Sequence, residues 1–209
     1  MDRESDMSDK IILHLCADIG SDSKPYKDAG YEVILIGSNI GVENYIPDRE
    51  IYGVIANPVC TEFSIVKGFN KRGDTEKGMF LVNECERIIK QCNPVFWVIE
   101  NPASGRLKEF LGKPDFVYEP WEFGSPWTKK TALWGKFNKP NKIYSKWEDV
   151  LKIPELYIRP GRPKPSMAFL HKSAKKFIRE FDAFKVEDDM SFRSLCSQKF
   201  ASEFFKVNV

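Results

Sequence analysis

The amino-acid sequence predicts an α/β protein with a mostly parallel sheet flanked by helices. Short apolar runs alternate with helical periodicity along the chain, a pattern typical of β-α-β units. One helical stretch is marked by Leu81, Cys85, Ile88 and Cys92, whose spacings of four, three and four place them on one face. Asn93-Pro94 ends this helix. The apolar runs that we predict as strands cover residues 11–15, 31–36, 51–56 and 95–99, and a further apolar run covers residues 132–134.

The remaining helices are predicted from weaker signals. A short helix follows the first strand and ends at Gly30, and residues 106–111 form a helical turn. Ala174, Phe177, Ile178 and Phe181 predict an amphipathic helix, and the last helix covers residues 198–206.

Length and composition predict one domain with a substantial core. The chain has 209 residues, of which 42% are hydrophobic and 30% are charged. We expect residues 1–9 to be a disordered lead-in and residues 10–209 to be one domain, with a basic, proline-rich excursion at about residues 136–165. No apolar run approaches the roughly 20 residues that a membrane span requires, and the first residues do not resemble a signal peptide.

The five cysteines are scattered and lack C-x-x-C spacing. This usage predicts reduced thiols in a cytosol-like compartment and no zinc or other metal site. We interpret Cys85 and Cys92 as core residues of the helix that carries them.

The net charge of +2 conceals an uneven distribution. Residues 136–179 contain twelve Lys or Arg and three Asp or Glu, so the rest of the chain is acidic. A basic segment on an acidic chain indicates a polyanionic partner, although a solvated lysine-rich surface gives the same composition.

Two predicted strands are followed by residues with reactive side chains, one a thiol and the other a carboxyl. Cys60 follows the strand over residues 51–56 within the loop Asn57-Pro58-Val59-Cys60, and Glu100 follows the strand over residues 95–99. A lone cysteine after a strand is commonly a buried hydrophobe. Because ligands bind at the carboxyl ends of parallel strands, a thiol and a carboxyl there predict a nucleophile with an acid partner.

A small-residue turn follows the first strand and is the candidate cofactor turn. Such a turn lets backbone amides approach a cofactor closely, although one glycine near a strand end is a weak motif. We interpret His14, which precedes this turn, as a strand residue. A polar loop at residues 67–75 is a candidate lid beside Cys60, or an ordinary surface loop. The turn consists of Cys16, Ala17, Asp18, Ile19, Gly20 and Ser21.

Four stretches, in the same order, resemble motifs of the DNA cytosine-5 methyltransferases, in particular small phage or prophage forms. The cofactor turn F-A-G-x-G-G is matched loosely by Cys16 to Ser21, and the nucleophile loop G-G-P-P-C-Q-x-F-S by Ala56 to Ser64. The E-N-V signature is matched by Glu100-Asn101-Pro102, and F-G-x-P-Q-x-R-x-R in part by residues 123–131. The resemblance covers residues 11–135, with a fainter echo at 192–208.

The resemblance implies a Rossmann-like, S-adenosylmethionine-dependent methyltransferase fold and a covalent mechanism on cytosine flipped out of DNA. Cys60 would add to carbon 6, Glu100 would protonate the ring at N3 with a carboxyl pKa raised by burial, and Lys129 would steady the base carbonyl or a phosphate. S-adenosylmethionine would lie near the cofactor turn, Asn57 and Pro58. The resemblance also implies action in the cytoplasm of a bacterial or phage-infected host cell. The sequence does not give the oligomeric state, and a monomer is taken by default. The other expected substrate contacts are Ser64, Asn101, Pro102 and Lys130.

The chain departs from the family pattern at several positions. Asp18 replaces a glycine of the cofactor turn, and Gly37-Ser38 stand where an acidic residue would bind ribose hydroxyls. Lys129 and Thr131 replace the family's arginines, and no large target-recognition domain is present.

Three alternatives therefore stay open. The chain could be a nucleic-acid-binding relative without catalysis, or an enzyme acting on a free pyrimidine nucleotide. Asn57-Pro58 also resembles the N-P-P-Y loop of amino-group methyltransferases, although Cys60 cannot stack on a base as that loop's aromatic residue does.

Overall fold

The structure, a computed structural model, describes residues 9–64 and 74–209. Apart from Asp9, the predicted lead-in lies outside the described residues, as does the predicted loop over residues 67–75 apart from Asp74 and Thr75. The chain divides into two compact units. Unit 1 comprises Met1–Val117 and Thr131–Phe137, and unit 2 comprises Tyr118–Lys130 and Asn138–Val209. The prediction of one domain over residues 10–209 stays a prediction.

Unit 1 is built on a six-stranded sheet in the order β2-β1-β3-β4-β6-β5. The first four strands in this order run parallel, and β6 pairs antiparallel with β4. Every residue of β1 and β3 is buried, as expected of central strands covered on both faces. The strands are β1 (Ile11–Leu15), β2 (Glu32–Ile36), β3 (Gly53–Ala56), β4 (Phe96–Pro102), β5 (Phe116–Tyr118) and β6 (Thr131–Lys136).

Among the described residues of unit 1, three α-helices accompany the sheet. The longest one shows why its sequence is helical. The three helices are α1 (Lys24–Asp28), α2 (Thr75–Cys92) and α3 (Lys108–Leu111). Helix α2 begins at the N-cap Asp74, whose carboxylate accepts the Lys77 amide at 3.1 Å, and ends at Asn93 in the left-handed conformation. Its apolar face, which includes Val82, Cys85 and Ile88, is fully buried in the core of unit 1.

The strand order alone predicts where a ligand-binding crevice lies. The chain runs from β1 outward to β2, then returns past β1 to β3 on its other side. The turns after β1 and β3 therefore leave the sheet in opposite directions, which opens a crevice at their carboxyl ends. The predicted Rossmann-like α/β fold is confirmed, and the cofactor turn and the Cys60 loop lie at this switch point.

Unit 2 holds an aromatic core and little regular structure. Its two α-helices are α4 (Asp189–Ser194) and α5 (Gln198–Val207). Tyr118 stacks on Phe200 with ring centroids 3.7 Å apart, and Trp127 packs against Phe181 at 5.3 Å. Short 3-10 segments make up much of the remainder: Pro120–Phe123, Trp147–Asp149, Pro154–Leu156, Met167–Phe169, Lys172–Phe177 and Arg179–Phe181.

The amphipathic α-helix predicted around Ala174 to Phe181 is wrong. Two 3-10 segments occupy this stretch and meet at Ile178, whose φ of −114° and ψ of 83° are not helical. Ala174, Ile178 and Phe181 are buried, while Phe177 at the end of the first segment is exposed. A repeat of three residues per turn therefore buries three of the four side chains that the α-helical pattern selected.

Candidate active site at the carboxyl ends of the strands

Cys60 lies on an exposed turn directly after β3. It begins the 3-10 segment Cys60–Phe63, and its side chain is exposed while Phe63 is fully buried. The buried Phe63 anchors the turn in the core of unit 1. Ser64, a predicted substrate contact, is half-buried at the end of the same turn. The exposed Cys60 thiol is therefore accessible to a substrate, whereas the buried Cys85 thiol is not.

The Asn57 side chain joins the Cys60 loop to the end of β4. Its Nδ2 donates to Glu100 Oε2 at 3.1 Å and to Asp22 Oδ1 at 3.3 Å. Glu100 is the first residue of β4 beyond its pairing with β3, which ends at Ala56 and Ile99. The structure thus brings Asn57 and Glu100 together, as their adjacent strands require, and adds the carboxylate of Asp22. Asn57 was predicted as a cofactor contact, but its amide is committed to these two acids.

His14 is a site residue that the sequence interpretation missed. Its Nε2 lies 2.6 Å from Asn57 Oδ1 and its Nδ1 lies 2.8 Å from Ser23 Oγ. Burial lowers the pKa of His14, against opposing effects of Asp22 and Asn57, so the ring is neutral. Since Asn57 Oδ1 can only accept, Nε2 carries the proton and Nδ1 accepts from Ser23. The neutral imidazole therefore fixes the orientation of the Asn57 amide. A histidine within the apolar strand Ile11–Leu15 was the signal available in the sequence.

We expect the burial of His14 to make stability depend on pH. Above its ordinary pKa of 6.5 the ring is neutral in both folded and unfolded chains. Below that pH only the unfolded chain gains a proton, so stability falls by at most about 1.4 kcal/mol per pH unit until the lowered folded pKa is passed. Urea unfolding of the wild type and of His14→Gln should give curves that diverge between about pH 7.5 and about pH 5.5, with the wild type losing more. Parallel curves would contradict this assignment.

Asn101 holds the backbone of the Cys60 loop. Its side chain is 1% exposed, and its Nδ2 donates to the Pro58 carbonyl at 2.9 Å. Pro58 precedes Cys60 by two residues, so the two Cα atoms are at most about 7.6 Å apart. Asn101 Oδ1 is buried with no hydrogen-bond partner among the described residues. Asn101 thus positions the loop instead of facing solvent, while its neighbour Pro102 is half-buried.

Replacement of Asn101 should loosen this loop and lower stability. Asn101→Ala leaves the Pro58 carbonyl unpaired at a buried site, so we expect a loss of about 1–3 kcal/mol in the free energy of unfolding. Urea unfolding measures this loss. Asn44→Ala is the matched control, because Asn44 Nδ2 also donates to a backbone carbonyl, that of Ile40 at 2.8 Å, but is exposed. The control should change stability by less than about 0.5 kcal/mol. Equal losses in the two variants would contradict the role given to Asn101.

The cofactor turn contains an acid that reaches the end of β2. Asp18 Oδ1 accepts from the Ser38 amide at 2.8 Å and from Ser38 Oγ at 3.1 Å. A side chain at Gly37 would collide with this carboxylate, since a Cβ there would lie 2.0 Å from Asp18 Oδ1. An acidic side chain from the turn after β1 therefore lies at the end of β2, where the sequence has no acid of its own. Asp18 is exposed, and its Oδ2 has no hydrogen bond to a described residue.

The rest of the cofactor turn is compact and half-buried. Cys16 adopts a φ of +55° and Gly20 a φ of +73°, conformations that turn the chain sharply after β1. Ala17 donates its amide to Ile36 at 3.1 Å, which ties the turn to β2. Ser21 is buried and Ile19 half-buried.

Cys16, which is half-buried, and Cys85, which is buried, form a pair of neighbouring thiols. Their sulfur atoms lie 3.8 Å apart. The hydrogen bond with Cys16 and burial raise the pKa of Cys85, which holds it as a neutral thiol. The predicted core role of Cys85 is confirmed, while Cys92 is half-buried. Neither has the exposure of Cys60.

Lys129 and Lys130 lie in unit 2. The Lys129 ammonium group donates to the carbonyls of Ser194 and Leu195 at 3.0 and 3.1 Å, next to the end of α4. Its backbone amide donates to Glu119, whose carboxyl pKa is raised by burial. Lys130 is exposed. The substrate roles of both lysines stay predictions.

The described residues contain neither a metal-binding cluster nor a membrane-spanning helix. Residues 9–64 and 74–209 contain no group of three or more His, Cys, Asp or Glu side chains that could hold a metal ion. Within the same ranges, no helix has the length and apolar character needed to cross a membrane.

The fold and the polar residues at its switch point define a Rossmann-like α/β protein with a candidate active site. The chain is 31% identical over 103 residues to a protein of Frog virus 3 (isolate Goorha) named "Probable DNA (cytosine-5)-methyltransferase". The aligned region covers 41% of this chain and 46% of that relative, so the chain spans about half the relative's length. The resemblance to DNA cytosine-5 methyltransferases that the four motifs indicate is confirmed by this relative.

A solved structure provides a second comparison, and family models provide a third. A crystal structure of an E. coli protein described as "putative DNA modification methyltransferase encoded within prophage" matches with a TM-score of 0.43 and 15% identity. The match covers 61% of this chain and 46% of that one. No family model matches the chain.

Proposed function

We propose that this protein transfers a methyl group to carbon 5 of cytosine in DNA, with Cys60 as the nucleophile and Glu100 as its acid partner. The observation that carries the proposal is the pair of hydrogen bonds between the two loops, Asn57 to Glu100 and Asn101 to Pro58. They hold the strand end that bears the carboxyl against the loop that bears the thiol. Similarity to the Frog virus 3 relative supports the same reaction.

The residues at the switch point suit S-adenosylmethionine as the methyl donor. Asp18, oriented by Ser38 at the end of β2, presents a carboxylate where dinucleotide-binding folds place the acid that binds ribose hydroxyls. The positive φ angles of Cys16 and Gly20 turn the chain sharply after β1, as the cofactor turn of such folds does. When bound there, S-adenosylmethionine supplies an electrophilic methyl group.

Cys60 and Glu100 would make carbon 5 of the base reactive. The Cys60 sulfur forms a bond to carbon 6 of cytosine as the Glu100 carboxyl delivers a proton to N3. Electron density moves to carbon 5, which is otherwise too electron-poor to attack a methyl donor. Carbon 5 takes up the methyl group as S-adenosylhomocysteine departs with the electron pair of the broken bond. Solvent then accepts the carbon 5 proton, the bond between carbon 6 and sulfur breaks with release of the thiolate, and the proton on N3 returns to Glu100.

Asn57 and His14 would keep Glu100 in place during these steps. The Asn57 amide can donate to Glu100 Oε2 only while its oxygen faces His14 Nε2. The neutral His14 ring therefore acts through Asn57, as a positioning residue for the carboxyl. Asp22 accepts from the same amide at 3.3 Å and so helps to fix its orientation.

In duplex DNA the target base would have to be flipped into this site, at a cost of a few kcal/mol. DNA is accordingly the proposed partner. The predicted monomeric state and cytoplasmic location stay predictions.

The direct test is to incubate DNA with the protein and S-adenosylmethionine, digest it to nucleosides and measure 5-methylcytosine by mass spectrometry. We expect the product in the wild-type reaction and none in a reaction without S-adenosylmethionine. The absence of 5-methylcytosine with folded protein on DNA of mixed sequence would contradict the proposal. Product found on deoxycytidine monophosphate but not on DNA would identify the nucleotide as the substrate.

A further inference from the structure

A four-residue turn in unit 2 brings two arginines together on the protein surface. In Arg159-Pro160-Gly161-Arg162 the Arg162 amide points to the Arg159 carbonyl at 3.5 Å, and Gly161 has a φ of +74°. Proline second and a positive-φ glycine third are the requirements of a type II turn. The two central residues have no long side chain, so the arginines at the ends of the turn are its chemically active groups.

Both guanidinium groups lie on the same aromatic ring. The Cζ atoms of Arg159 and Arg162 are 3.6 and 4.7 Å from the centroid of the Phe169 ring. The electron-rich face of the ring attracts cations, so it holds the two like charges together. Within the described part of the chain neither guanidinium is in an ion pair with a carboxylate. Two neighbouring guanidiniums without acids present a surface suited to an anion.

The turn is fixed at both ends and exposed in the middle. Leu156 on one side and Met167 on the other are each 1% exposed. Thr128 donates its amide to Pro165 at 2.8 Å and accepts from the Met167 amide at 3.0 Å. Residues 157–163 between these anchors are all exposed. The arginines therefore project from a rigid base, which lowers the entropy lost when they bind.

The neighbouring sequence is uniformly basic. Between Glu155 and Glu180 there is no Asp or Glu, whereas there are seven Lys or Arg. Lys164 lies over the Trp121 ring at 4.4 Å and is near enough to Glu119 to affect its carboxyl. The charge of Lys164 is thus partly balanced, while the charges of Arg159 and Arg162 are not.

We propose that the turn Arg159–Arg162 contacts duplex DNA by placing its two guanidiniums in the minor groove of A·T-rich sequence. This inference rests on the proposed function for the choice of DNA as the polyanion. A narrow minor groove concentrates negative potential and attracts inserted arginines. The groove is only about 6 Å wide, and a turn with proline and glycine at its centre is thin enough to follow its edge. The contact would give this protein a DNA-binding element in addition to the Cys60 site.

The test measures binding of short fluorescent duplexes, one of A·T pairs and one of G·C pairs, by anisotropy over a range of salt. For Arg159→Ala/Arg162→Ala we expect the Kd for the A·T duplex to rise at least about tenfold, and the Kd for the G·C duplex to rise less. The slope of log Kd against log salt should fall by about two on the A·T duplex, one for each lost charge. Circular dichroism establishes that the variant is folded.

Two matched variants decide between the minor groove and other contacts. Lys27→Ala/Lys90→Ala removes two exposed charges from unit 1 and should bind the A·T duplex nearly as wild type does. Arg159→Lys/Arg162→Lys keeps the charge and loses the planar fork, so it should recover only part of the affinity. Full recovery by lysine, or equal losses on the two duplexes, would overturn the minor-groove contact. Unchanged affinity in the alanine variant would overturn DNA contact by this turn altogether.

The outcome is separable from that of the proposed function. If wild-type protein forms 5-methylcytosine while the arginine variants bind as tightly as wild type, only this inference fails. If no 5-methylcytosine forms while the arginine variants lose affinity for the A·T duplex, only the methyl transfer fails.

Discussion

Cys60→Ser should abolish methyl transfer and leave the fold intact. A serine hydroxyl is a far weaker nucleophile than a thiolate, so we expect the rate to fall at least about 1,000-fold, which is about 4 kcal/mol of transition-state stabilisation. Because Cys60 is exposed, the free energy of unfolding should change by less than about 0.5 kcal/mol. Transfer of tritiated methyl groups from S-adenosylmethionine to DNA measures the rate, and urea unfolding measures the stability.

Cys92→Ser is the matched control for this change. Cys92 is half-buried on α2 and has no role in the proposed chemistry. This variant should retain methyl transfer within a few-fold of wild type. Undiminished activity in Cys60→Ser would rule out the thiol mechanism, and an equal loss in Cys92→Ser would point to damage to the fold instead.

Glu100→Gln should slow methyl transfer far more than it weakens DNA binding. Glutamine can still accept the Asn57 hydrogen bond through its oxygen but cannot deliver a proton to N3. Loss of a general acid typically costs about 100- to 10,000-fold in rate. Single-turnover rates at saturating DNA, set beside Kd values from fluorescence anisotropy, separate the two effects.

Glu109→Gln serves as the control for the Glu100 variant. Glu109 pairs with Arg106 at 3.0 Å, with half of its side chain exposed. Its replacement should leave both the rate and the affinity close to wild type. Parallel losses of rate and affinity in Glu100→Gln would count against a proton-transfer role.

The strands that frame the site could be predicted from the sequence because their apolar runs are long enough to recognise. Strand β5 was missed, since the three residues Phe116–Tyr118 give no periodicity to detect. The predicted 174–181 helix was wrong because a spacing of three satisfies a 3-10 segment as well as an α-helix. Apolar spacing does not by itself choose the type of helix, and it also assigned the exposed Phe177 to the buried face.

The site was only partly predictable, because its polar contacts join residues far apart in sequence. The meeting of Asn57 and Glu100 follows from adjacent parallel strands. The contact of His14 with Asn57 depends on how the β1 and β3 ends face each other, which no local pattern records. Asp18 shows the same limit. In the sequence it is a departure from the family motif, and nothing local indicates that its carboxylate lies against Ser38 at the end of β2.

The most direct measurement uses DNA in which cytosine carries fluorine at carbon 5. Fluorine cannot leave as a proton does, so the bond between Cys60 sulfur and carbon 6 should persist after methyl transfer. Incubation with S-adenosylmethionine followed by denaturing electrophoresis and peptide mass spectrometry should find the modified base on the peptide that contains Cys60. A persistent adduct on a different cysteine, or methylated DNA without an adduct, would contradict the account.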